Sequence, residues 1–183
     1  MKKLNYNEIL IERKTLDNFD ANTKHPIVVI LHNIRSNYNV GSLFRTCDSA
    51  FVEELILTGY TPHPPKDEIH KTALGATETV KWRYFQNAID VIKEFKAKGY
   101  KIAAVEITDT KKYYYNIEHQ DYPIVLIMGN EITGVDDEII DLCDFSLEIP
   151  MYGVKHSLNV SIAAGIVIYE SVRKFRELNN IID

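Results

Sequence analysis

The chain has 183 residues, 45% of them hydrophobic and 26% charged, with a net charge of −5. That length supports one domain with a sizeable core, no apolar run is long enough for a membrane helix, and the acidic balance argues against bulk nucleic-acid affinity. Cys47 and Cys143 lie far apart without metal-type neighbours, which fits a reduced cytoplasmic protein rather than a disulfide framework.

Met1-Lys2-Lys3-Leu4-Asn5 runs into no apolar core, so no signal peptide is expected. Residues 5–16 read as a short amphipathic helix with Ile9, Leu10 and Leu16 on its apolar side, followed by a polar linker to Lys24. Residues 1–24 are thus expected to form a helical extension, and 25–183 the main domain. Pro26-Ile27-Val28-Val29-Ile30-Leu31 is a continuous, largely β-branched run, as expected of a strand buried on both faces. An Asn-rich loop follows and enters a helix, with Asn39 as its expected N-cap and Arg45 near its start. The Arg45 guanidinium suits a phosphate, which it binds as a planar fork; pairing with Asp48 or Glu53 is the alternative.

Residues 54–58 form the next expected strand, and 59–66 a stiff Pro-rich loop. A short helix ends over 71–76, 79–85 alternates like a strand, and 87–98 reads as a helix closed by Gly99. After a strand over 100–107, the polar stretch 111–116 carries Tyr113, Tyr114 and Tyr115, suited either to stacking bases or to covering the core. Residues 123–128 are the most buried-looking strand. They lead into a glycine-bearing loop over 129–135, a short helix over 136–143 and a last strand over 145–149. Beyond Pro150 and Gly153, Ser157 is the expected N-cap of a final helix rich in small residues, reaching about Glu177.

Strands alternating with helices predict a three-layer α/β domain with a mostly parallel sheet. Its strand–loop–helix connections are where such sheets bind ligands. The Rossmann fingerprint, the P-loop and the Gly-x-Ser-x-Gly elbow are all absent, and no histidine makes a metal-ligand spacing, so no metal is expected. Residues 66–101 are locally basic, whereas 102–150 carry only Lys111 and Lys112 as lysine or arginine.

Three segments together resemble the SpoU (TrmH-like) family of RNA ribose 2′-O-methyltransferases, in the SPOUT superfamily. Asn39-Val40-Gly41-Ser42-Leu43-Phe44-Arg45-Thr46 is similar to the family's Asn-x-Gly-x-x-x-Arg-Thr. Gly129-Asn130-Glu131-Ile132-Thr133-Gly134 looks like its Gly-x-Glu-x-x-Gly, and Ile149-Pro150-Met151 through Ser157-Leu158-Asn159-Val160-Ser161 is similar to its Ile-Pro-Met…Ser-Leu-Asn-Val-Ser. The resemblance covers about Ile27 to Glu170, and implies a C-terminal trefoil knot, a homodimer and S-adenosylmethionine as cofactor. It places cofactor contacts at Glu106, Gly129, Ile149, Met151 and Leu158. It gives Arg45, Asn39, Glu131, Ser157 and Asn159 the catalytic site, with Glu131 orienting Arg45 or its loop. The implied substrate is RNA, tRNA first and ribosomal RNA second. The extra RNA-binding domain of larger members is not expected here. A non-catalytic RNA-binding protein of the same fold is the reading from another class.

Overall fold

The computed structural model describes residues 1–11 and 24–181. Its elements, in order, are α1 (Tyr6–Ile11), β1 (His25–His32), α2 (Asn37–Ser49), β2 (Val52–Thr58), α3 (Asp67–Ala73), α4 (Ala76–Thr79) and β3 (Trp82–Phe85). There follow α5 (Ala88–Ala97), β4 (Lys101–Ala104), β5 (Lys111–Tyr113), β6 (Ile124–Met128), α6 (Asp137–Ile140), β7 (Phe145–Glu148) and α7 (Val160–Leu178). The strands form one seven-stranded sheet in the order β3-β2-β1-β6-β4-β7-β5, with every pairing parallel.

The β-branched run became the sheet's centre. Within β1, Ile27, Val29 and Leu31 enter one core with residues of α2, α3 and α7. Val28 and Ile30 enter the other, with Ala88, Val91, Ile92 and Phe95 of α5 and Ile139 of α6. Each such side chain, fully removed from water, contributes about 1.5–3 kcal/mol, which is why a strand covered on both faces carries no polar alternation. At Gly41, α3 lies so close to α2 that a Cβ would overlap the Ile69 carbonyl oxygen.

Several sequence expectations need correction. The strand expected over 79–85 is shorter, because residues 76–79 form the helical turn α4. β4 stops at Ala104 and α6 spans only Asp137–Ile140. Lys111–Tyr113, for which the polar stretch 111–116 gave no strand signal, is the edge strand β5; one short, half-exposed edge tolerates lysines that a central strand would not. Tyr114 packs against the core, and Tyr115 stacks on Tyr113. In α1, Ile9 and Leu10 are exposed; Leu16 and the polar linker lie outside the described residues. Much of the basic stretch is absorbed in ion pairs: Lys81 and Arg83 with Glu54, Lys98 with Glu94, Lys101 with Asp144.

Candidate active site

The loop after β6 is a tight return. Asn130 N–H donates to the Gly134 carbonyl and Gly134 N–H to the Asn130 carbonyl, both at 2.9 Å. The Asn130 side chain does the rest. Its Oδ1 accepts from the amides of Ile132 (2.8 Å) and Thr133 (3.1 Å), and its Nδ2 donates to the Asn33 carbonyl (2.8 Å) and the Tyr60 hydroxyl (2.7 Å). Asn130 therefore ties the loops after β1, β2 and β6 together. Gly129 has no room for a Cβ, which would overlap the Gly134 carbonyl. Gly134 sits at φ +74°, a backbone state that suits glycine. From the end of β4, the Glu106 carboxylate accepts from Val135 N–H at 3.1 Å and from its neighbour Ile107 N–H at 2.9 Å.

Beside this loop lies a cavity of about 610 Å3, a size that suits a small ligand. Glu106, Gly129, Ile149, Met151 and Leu158 all line it, as do Glu131 and Ser157. Its walls mix apolar side chains such as Leu147 and Val160 with the carboxylates of Glu106, Glu131, Asp137 and Glu148, and contain no Lys or Arg. Glu148 Oε2 is buried without a hydrogen bond, its nearest cation being Lys111 Nζ at 3.6 Å.

The three motifs meet through side chains. Glu131 accepts from the amides of Arg35 (2.9 Å) and Ser36 (3.3 Å) and from Asn39 Nδ2 (3.0 Å). Asn39 Oδ1 in turn accepts from Asn159 Nδ2 at 3.2 Å. Partial burial opposes ionisation of Glu131, but the donated hydrogen bonds prevail and hold its pKa below the usual carboxylate range. Glu131 thus holds the 35–39 loop, and it makes no contact with Arg45.

Arg45 stands elsewhere. It is exposed, without a hydrogen-bond or ion-pair partner among the described residues, and it lines a second hollow with Lys71 and Tyr169. Six residues turn a helix through about 240° net, so Asn39 and Arg45 leave α2 on different sides. The sequence placed Asn39 as the cap and Arg45 near the helix start. Instead Ser36 caps α2, its Oγ accepting from Asn39 N–H, and Arg45 lies in the third turn. Likewise α7 begins at Val160, capped by Asn159 through Ser161 N–H at 2.9 Å, and not at Ser157. Ser157 stays in an exposed loop, because the first amide that finds a side-chain acceptor is two residues beyond Asn159. Sequence reasoning missed Asn130. Its signal was an asparagine followed by free amides two and three residues on, the Asx-turn pattern.

The SpoU rRNA Methylase family model matches residues 26–169. The chain is 36% identical over 157 residues to a tRNA (guanosine(18)-2′-O)-methyltransferase of Aquifex aeolicus, covering 82% of this chain and 71% of that one. The solved structure of the A. aeolicus TrmH/SpoU tRNA modifying enzyme superposes with TM-score 0.77 at 30% identity, over 86% of this chain and 79% of that one. An AdoMet-bound rRNA methyltransferase from Sinorhizobium meliloti gives TM-score 0.76 at 30% identity, over 84% and 59%. Against further curated relatives, such as a putative TrmH family tRNA/rRNA methyltransferase of Staphylococcus haemolyticus, the chain spans 61% of their length.

Proposed function

Because the chain belongs to the SpoU rRNA Methylase family, we propose that it transfers a methyl group from S-adenosylmethionine to a ribose 2′-hydroxyl of RNA, with tRNA as first substrate. The observation that carries this reading is a sorting of charge. The 610 Å3 cavity holds four carboxylates and no Lys or Arg, which suits a ligand bearing a sulfonium and an ammonium. The second hollow holds Arg45 and Lys71 and no acid, which suits an RNA backbone. The tRNA preference follows the A. aeolicus relatives, and ribosomal RNA the S. meliloti one.

The residues present fit the cofactor. Leu147, Ile149, Leu158 and Val160 offer apolar walls to a base, and the carboxylates of Glu106 and Asp137 line the same cavity as hydrogen-bond acceptors. When bound, the cofactor supplies an electrophilic methyl group. The protein's task is then to hold the hydroxyl in line with that methyl and let its proton leave. Arg45 binds the adjacent phosphate and stabilises developing negative charge. A guanidinium is always protonated and makes a poor base, so the proton leaves to that phosphate or to water. Glu131, Asn39 and Asn159 hold the loop that presents the ribose, and Ser157 lies beside the cofactor.

In one chain the cavity and Arg45 line separate hollows, which supports a homodimer that joins them. On α7, Ile162 is 56% exposed and Gly165 opens onto empty space, the kind of face that packs closely on a copy. The interleaved order β6-β4-β7 supports the family's trefoil knot around the loops at 129–159. The RNA-modifying role supports a cytoplasmic location. Among the described residues no helix is long and apolar enough to cross a membrane, and no cluster of potential metal ligands is found.

The test is methyl transfer from labelled S-adenosylmethionine to tRNA and to ribosomal RNA, with the 2′-O-methyl site mapped. Arg45→Ala should lose roughly a hundredfold or more in single-turnover rate, as expected for one oriented charge-assisted contact, with cofactor affinity unchanged. Arg45→Lys should keep part of the rate. A new rate-limiting ionisation near the lysine pKa would make this residue the base. Absence of any cofactor binding would remove the reading altogether.

A further inference from the structure

We propose that the hollow beside Arg45 seats an internucleotide phosphate of the RNA strand flanking the methylated nucleotide, with Lys71 as its cation and Tyr169 as the stacking face for the adjoining base. The proposal rests on the reading of the chain as an RNA methyltransferase and adds two residues to its substrate contacts. The close approach of α3 to α2 at Gly41 sets the last turn of α3 beside the exposed side of α2. The result is a hollow of about 470 Å3 between α2, the end of α3, and α7.

Its chemistry points to an anion. The protein is acidic, and many of its cations have carboxylate partners within 4.0 Å. Arg45 and Lys71 have none among the described residues, yet they line one hollow. The nearest acids in sequence are Asp48, which follows Arg45 and accepts a hydrogen bond from the Thr79 hydroxyl, and Asp67 and Glu68, one turn before Lys71 on α3; none of them lines the hollow or pairs with either cation. Two cations on the wall of one hollow, with no carboxylate on that wall, favour an anion there. Ser42 and Ser49 also line the hollow, and their hydroxyls make no hydrogen bond to a described residue, so two neutral donors stand beside the two cations. Tyr169 closes the side toward α7, half exposed and without a ring contact among the described residues. Cation, hydroxyl donors and an open aromatic face together are the parts of a single-strand site.

The experiment measures binding of a fluorescein-labelled, mixed-sequence single-stranded RNA 12-mer and of unfractionated tRNA, over a range of salt, with S-adenosylhomocysteine present. Wild type is compared with Lys71→Ala, Lys71→Arg and Tyr169→Ala. The same samples are titrated with S-adenosylmethionine and sedimented. Lys71→Ala should weaken RNA binding and lower the slope of log K against log salt by about 0.7, the loss of one phosphate contact on a single strand. Lys71→Arg should restore both. Tyr169→Ala should weaken binding roughly fivefold or more, with the slope intact. Cofactor affinity should be the same in all four. If Lys71→Ala keeps the wild-type slope while wild type binds RNA, the seat is refuted and the methyltransferase reading stands. If Lys71→Ala or Tyr169→Ala changes the sedimenting mass, the hollow is a contact between copies and the proposal is wrong. Wild type that binds neither RNA nor cofactor overturns the functional reading, and this one with it.

Discussion

The loop after β6 and the loop after β7 face one cavity, and they are built by different means. Residues 129–135 are held by the paired backbone bonds of Asn130 and Gly134, by the Asn130 side chain and by Glu106. Residues 150–158 make no hydrogen bond to any described residue, and Tyr152 and Val154 are each 93% exposed. One wall exists before a ligand arrives. The other has backbone groups and apolar side chains that only a ligand or a second copy would engage. Under the proposed function, a cavity with one rigid and one adaptable wall would align the cofactor on the first and enclose it with the second.

The largest way to break this contrast is Gly129→Ala. The added methyl meets backbone on the opposite limb, which cannot rotate away, so overpacking should cost about 3 kcal/mol. Cofactor titration should show binding lost together with a lowered melting temperature. Asn130→Ala comes next. It strands the partly buried Asn33 carbonyl and the amides of Ile132 and Thr133, at about 2 kcal/mol. Chemical denaturation should show the loss, and hydrogen exchange should rise at residues 131–134 in the free protein. Wild-type exchange at that loop would mean the backbone pair suffices.

A smaller effect sharpens the contrast through pH. The folded-state pKa of Glu131 lies below its ordinary value of 4.5. Its contribution is therefore fully present above about pH 4.5 and is lost as pH falls through the folded pKa. Glu131→Gln should be destabilised by about 1 kcal/mol at neutral pH, since exposure screens the charge. The gap to wild type should narrow below pH 4.5, as measured by denaturation at stepped pH. The smallest effect is expected on the open wall. Val154→Ala should change free-protein stability by less than about 0.5 kcal/mol, while amides of 151–158 should gain protection in hydrogen exchange once S-adenosylmethionine is added. Protection already present without cofactor would contradict the adaptable wall.

How far the sequence was legible follows the same division. β1 and β6 could be read directly, because strands covered on both faces leave long apolar runs. The three motifs brought the fold and the cavity-lining residues into view. Helix starts were harder: Ser36 and Asn159, not Asn39 and Ser157, supply the caps, since each segment offers several side chains of equal capping power and the tertiary path chooses among them. β5 was hidden because its Lys-Lys-Tyr has no apolar pattern of its own and pairs only because β7 is there. The meeting of Glu131, Asn39 and Asn159 spans 120 positions of sequence. No local pattern encodes it, and only the motif resemblance suggested that these residues share a site.

The strand order has a consequence for how the chain is made. β2 is laid beside β1 and then β3 beside β2, so that side of the sheet assembles as residues appear. β4 is different: both of its neighbours, β6 and β7, come later in the chain. On a ribosome, residues 101–104 emerge with no strand to join, and the backbone edge of β1 that pairs with Ile124–Met128 stays bare until that strand is synthesised. A nascent chain stalled between these points carries an unpaired apolar edge, the kind that recruits other chains. Arrest of synthesis near residue 120 should therefore yield the most aggregation-prone fragment, and arrest just beyond β6 a markedly more soluble one.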